Sequence, residues 1–217
     1  MNLTVYLGMQ TFHPVTWPQA KRIITDLVEQ PTHLRSAESS EDSVPASVLK
    51  VFAELPKPDW PHGGQTAEFT LSAPSHEPIA FLPRFDSYLH VAVNPETGYG
   101  ALKWMVTEDS TVFIDSHIAD QVWLSDSPRP PITDPNVFAD PGYPRYHHPR
   151  STLPINRIRA AVEEFCRAAT GHRPTCIDWT PGKLDGERLD TPRPRDESVD
   201  RCLDPWCEQD CGPSHHC

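Results

Sequence analysis

The chain has 217 residues, 37% of them hydrophobic, with 25 prolines, 10 glycines and a formal net charge of −11. That length and modest apolar content suit one domain with a tail, and the charge disfavours binding to nucleic acid or anionic membrane, since both are polyanions. No apolar run approaches the roughly 18 residues of a membrane span, and Met1 to Gln10 lacks the basic start and apolar core of a secretion signal, so a cytoplasmic protein is expected.

Leu3, Val5 and Leu7 alternate with Thr4 and Tyr6, predicting an opening strand over 2–10 that His13-Pro14 ends. A helix then runs from Pro18 to Glu29, with Ala20, Ile23, Ile24, Leu27 and Val28 on one face. Residues 36–47 are polar, acidic and without period, which predicts a mobile loop, and the apolar run at 48–52 fits helix or strand equally. Strands are expected at Thr66 to Ser72 and at Tyr88 to Val93. Asn94 to Gly98 supplies turn chemistry before a further strand, Tyr99 to Val106, on which Gly100, Leu102, Trp104 and Val106 share a face. Trp104 is large enough to anchor a core. Thr111 to Asp115 and Gln121 to Ser125 are shorter strand candidates.

From Asp126 to Arg150 the pattern is irregular and proline-rich, the mark of either a binding loop or a disordered excursion. Order returns at Ser151 to Gly182. Pro154 reads as a first helical residue with Ser151 and Thr152 before it to cap, Ile155, Ile158, Val162, Phe165 and Ala169 form the apolar face, and Gly171 reads as a left-handed cap. Thr175 to Trp179 then alternates as a strand until Pro181-Gly182 stops it. Cys166 and Cys176 are expected as small apolar fillers, while Cys202, Cys207, Cys211 and Cys217 crowd the end. The expected organisation is therefore a domain over 1–182 and a disordered tail over 183–217.

Catalytic signatures are missing. No serine sits in a nucleophile elbow, Gly63-Gly64 lacks the rest of a phosphate loop, and no segment has the zinc-deaminase pattern. Cys202, Cys207, Cys211, Cys217, His215 and His216 offer soft ligands, but their spacing matches no zinc knuckle; a zinc-dependent interaction module on the tail is one alternative. A second is a small metal-dependent enzyme using His147 and His148, although adjacent loop histidines are more often merely solvated.

Taken in order, Gly100-Ala101-Leu102-Lys103-Trp104, the strand ending in Ser125, Asp134-Pro135 and Asp140, Leu153-Pro154, the helix with Phe165, and Gly171-His172-Arg173-Pro174 leading to Trp179 make roughly residues 1–182 similar to the Imm1 family of immunity proteins from bacterial polymorphic toxin systems. The resemblance implies an α+β protein: a mostly antiparallel sheet carrying an N-terminal and a C-terminal helix, with a helix–turn–strand at the end of the domain. It also implies a binding protein rather than an enzyme, needing no cofactor, that neutralises a toxin encoded nearby, typically a nucleic-acid deaminase. The chain's acidity suits a basic partner. Asp126, Asp134, Asp140 and Tyr143, on the long segment after the sheet, are the expected toxin contacts; the alternative is that Asp-Pro pairs only cap turns. Trp104, Phe165 and Trp179 are expected in the core.

Overall fold

The computed structural model describes residues 1–8, 10–14, 16–29, 64–73, 85–107, 110, 121–140 and 145–191. In chain order the elements are β1 (Asn2–Leu7), β2 (Gln10–Phe12), α1 (Trp17–Glu29), β3 (Gln65–Ser72), β4 (Ser87–Asn94), β5 (Tyr99–Val106), β6 (Val122–Asp126), β7 (Phe138–Asp140), β8 (Arg145–Tyr146), a 3-10 turn (Pro149–Ser151), β9 (Thr152–Pro154), α2 (Ile155–Ala168) and β10 (Asp178–Gly182). The main sheet has the order β10-β6-β5-β4-β3-β1-β2, every pairing antiparallel, with β9 attached to β5; β7 and β8 form a separate ribbon.

Register decides which side of the sheet is apolar. Phe69 lies opposite Leu89, and Leu89 opposite Trp104, so alternate residues of β3, β4 and β5 converge on one buried face. Both helices pack there. α1 buries Ala20, Ile23, Ile24, Leu27 and Val28, as its period predicts, and α2 buries Ile158, Ala161, Val162 and Phe165. The helices also meet each other: Arg159 reaches Glu29 at 2.5 Å, and the Arg167 guanidinium lies 4.3 Å from the centre of the Trp17 ring. At the start of α1 the Thr16 amide and hydroxyl both donate to Gln19 Oε1 (3.0 and 3.1 Å), half of a capping box. No helix among the described residues is long and apolar enough to cross a membrane.

Several boundaries differ from the expected ones for identifiable reasons. The opening strand breaks at Gly8, whose φ of +58° turns the chain into the β1–β2 hairpin. Pro154 is not the first helical residue but the last of β9, with ψ 142°; the helix is capped instead by the Ile155 amide donating to Gly98 O at 2.9 Å. Ser151 and Thr152 are used upstream, Thr152 Oγ1 donating to Pro149 O at 2.7 Å. β10 starts at Asp178 and continues through Pro181-Gly182, which an edge strand tolerates because one row of its backbone groups needs no partner. Residues 175–177 are bent, with the Thr175 and Cys176 amides held by the Glu164 carboxylate at 2.8 and 3.1 Å. Cys176 is exposed there, while Cys166 is half-buried against the core.

The left-handed cap of α2 falls on Ala169 (φ 48°), not on Gly171. A Cβ in that conformation costs about 1–2 kcal/mol, part of which glycine gives back as unfolded-state entropy. Ala169→Gly is therefore expected to stabilise the protein by about 0.5–1 kcal/mol, read as a rise in melting temperature of about 1–4 °C. An unchanged or lower value would show that the strain is absorbed elsewhere.

Packed chain also continues past Gly182, where the sequence places the domain's end. Gly182 bridges to Arg188, Leu189 N donates to Pro181 O, and Arg188 is 1% exposed. The expected loop at 36–47, the run at 48–52, the strand at 111–115 and the tail from 192 to 217 lie outside the described residues.

Candidate functional site

The face of the sheet turned away from the helices is polar, and it too is covered. Glu68, His90 and Lys103 are direct cross-strand neighbours on it. Lys103 is 7% exposed, and its Nζ donates to Ala139 O and Leu184 O, both at 2.8 Å. One ammonium thus fastens two returning segments, β7 and the strap after β10, onto the sheet. Desolvation lowers the Lys103 pKa, and the carboxylates of Asp140, Glu68 and Asp185 work against that shift. Gly186 (φ +83°) lets the strap lie close: a Cβ there would meet Ala139 Cβ at 2.6 Å and the His147 ring at 3.2 Å.

His90 lies beneath this cover, with Tyr88 beside it. The rings of Tyr88 and His90 stack at 6.4 Å, and the Tyr88 hydroxyl donates to Glu68 Oε1 at 3.0 Å; burial and that carboxylate raise the phenol's pKa. Burial, reinforced by Lys103 and His147, lowers the His90 pKa well below its ordinary value, so the folded protein keeps it neutral. The unfolded chain takes up that proton near pH 6.5. Stability is then fully present above about pH 6.5 and falls as pH drops below it, by up to about 1.4 kcal/mol per pH unit. Denaturation midpoints between pH 7.5 and 5 should show that fall, and His90→Gln should flatten it; equal slopes for the two proteins would contradict the assignment.

Where β6 and β9 part company along β5, a serine closes the gap. β9 pairs Tyr99 to Ala101 and β6 pairs Lys103 and Trp104, which leaves the Leu102 amide between them. That amide donates to Ser125 Oγ at 3.0 Å, and the hydroxyl donates to Ser151 O at 2.6 Å. Beside it the buried Arg188 pairs with Asp126 (2.8 Å) and, through Nε and Nη2, with both oxygens of Asp190 (2.8 Å each). Its Nη1 also donates to Ser151 Oγ at 3.3 Å, and Arg150 lies 4.0 Å from Asp126 and 3.6 Å from Asp190. Arg188's hydrogen bonds hold the Asp190 carboxyl well below the usual range.

The expected contact residues therefore divide. Asp126 is engaged inside the domain by Arg188. Asp134 is exposed, and its Oδ1 accepts from the Asn136 amide at 2.9 Å, the turn-capping role that its sequence also allows. Asp140, in β7, is half-exposed beside Lys103. Tyr143 lies outside the described residues. The described parts of the segment carrying them are packed: Phe138 and Tyr146 stack at 5.3 Å across the β7–β8 ribbon, and Asn94 Nδ2 donates to Pro135 O and Asn136 O at 3.1 and 3.2 Å.

The histidine pair is split by environment. His147 is fully buried, contrary to the expectation of a solvated loop histidine, and its amide donates to Val137 O at 2.8 Å. His148 is half-buried, its Nδ1 accepting from the Arg150 amide at 3.1 Å. Among the described residues no three His, Cys, Asp or Glu side chains converge as a metal site; Cys202, Cys207, Cys211, Cys217, His215 and His216 lie outside them. Of the residues expected in the core, Trp104 and Phe165 are 2% and 1% exposed, and Trp179 is half-buried against them. Trp104, Trp123 and Trp179 share the helix-side face and surround Arg173, whose guanidinium stands 4.0 Å from the Trp123 ring centre and 5.8 and 5.9 Å from the other two.

Sequence reasoning missed Lys103 and His90 because a polar residue at every second strand position normally signals a wet face, and it missed Arg188 because the segment that carries it shows no apolar period. Set against known families, residues 38–181 match the family model described as immunity protein Imm1. No curated protein and no solved structure matches the chain.

Proposed function

The chain belongs to the Imm1 family of immunity proteins, and on that premise we propose that it binds and neutralises a cognate toxin encoded beside it, acting in the cytoplasm by occlusion rather than by chemistry. The observation that carries the reading is the packing of the described residues between β6 and β9. A long excursion outside the main sheet would serve no purpose as mere connection, yet here it holds its own ribbon, is bonded to the β4–β5 turn, and presents the exposed Asp134. Asp134 and Asp140, with Tyr143, are the proposed contacts, while Asp126 pairs with Arg188 inside the domain.

A net charge of −11 suits a basic target, and a nucleic-acid deaminase has the basic groove such a protein would fill. Encounter is then speeded by charge, and the same acidity repels nucleic acid. Co-expression with the neighbouring reading frame is the test: cells should survive and the two proteins should co-purify. Failure on both counts removes the reading.

A further inference from the structure

We propose that Ile132 is the apolar anchor of the toxin-binding surface, with the exposed Glu96 and Asp134 on the two joined loops supplying its acidic groups, and that its partner is a basic protein offering an apolar pocket. The inference rests on the toxin-binding reading and locates its centre. Ile132 is 104% exposed, so the side chain packs against none of the described residues. A single exposed apolar residue is ordinary on a protein surface. What sets this one apart is the rigidity beneath it.

Pro128, Pro130, Pro131 and Pro135 fix φ along the loop. Its base is bonded to the β4–β5 turn by Asn94 and by Thr97, whose Oγ1 donates to Pro135 O at 3.1 Å. The two turns are tightened internally, the Glu96 amide donating to Asn94 Oδ1 and the Asn136 amide to Asp134 Oδ1. Two loops are thereby joined into one platform that presents Ile132, Asp134 and Glu96 to solvent. A side chain held out in this way loses little entropy on docking, and an apolar centre with a charged rim is how a few residues come to dominate an interface.

Titration of the purified neighbouring toxin tests this. Ile132→Ser is expected to weaken binding about 10- to 100-fold and Ile132→Arg to abolish it, while Ile132→Leu stays within about threefold of the original. All three should melt with the unchanged protein, since the side chain packs against none of the described residues. Glu96→Gln with Asp134→Asn, which keeps the turn-capping oxygen, should slow association about 3- to 10-fold at low salt and leave dissociation nearly unchanged. If the unchanged chain binds and Ile132→Ser binds within twofold of it, this surface is wrong and the function stands. If the unchanged chain does not bind the toxin at all, both fall.

Discussion

Replacing Arg188 by alanine is expected to cost about 3–5 kcal/mol, a large share of what holds a domain of this size together. The guanidinium is 1% exposed and serves Asp126, Asp190 and Ser151 at once. Removing it leaves a cavity where the guanidinium stood and takes the main partner from the carboxylates of Asp126 and Asp190, which keep only Arg150 and partial contact with solvent. Arg188→Lys should recover little, because a single ammonium cannot reproduce the bidentate bond to Asp190 together with the pair to Asp126. Urea denaturation measures this directly, and a loss under about 1 kcal/mol would mean that the pair is weaker than its burial implies. Truncation gives a parallel result: a chain ending at Gly182 should be destabilised at least as much as Arg188→Ala, whereas one ending at Thr191 keeps the whole network.

The second large effect lies on the opposite side of the sheet. Trp104→Ala is expected to destabilise by about 3–5 kcal/mol, the range for emptying a buried aromatic site. Trp104 stands opposite Leu89 on one strand and Trp123 on another, donates through Nε1 to Gly171 O at 3.0 Å, and forms one wall around Arg173. Trp104→Phe retains most of the volume but leaves the Gly171 carbonyl without its donor, so about 1–2 kcal/mol should be lost instead. The difference between the two variants separates packing from hydrogen bonding; equal losses would assign the whole effect to the bond.

Periodicity made the helix-side core legible. The i, i+3, i+4 rows of α1 and α2 and the alternation in β3, β4 and β5 are local, and a local pattern survives in the sequence whatever the rest of the chain does. Boundaries were less legible where distant residues decide them. Pro154 ends a strand because β5 is there to pair with it, and Ile155 needs no side-chain cap because Gly98 O lies within reach. The extent of the domain was hidden for the same reason: 183–190 has no apolar period, and what holds it is Lys103, which reaches Leu184 O from the sheet, and its own Arg188, which reaches back to Asp126 and Ser151. Of the candidate surface, the Asp-Pro pattern marked the loop, but only the hydrogen bonds from Asn94 and Thr97 show that it is held still.

The ends of the main sheet carry one more implication. β2 is three residues long, and β10 contains Pro181 and has Leu189 bonded to its backbone. Among the described residues neither margin offers a long, vacant ladder on which a foreign strand could grow, so copies of this protein are discouraged from zipping together margin to margin. A sheet with blunted margins is thereby less prone to grow into fibres when the protein is concentrated.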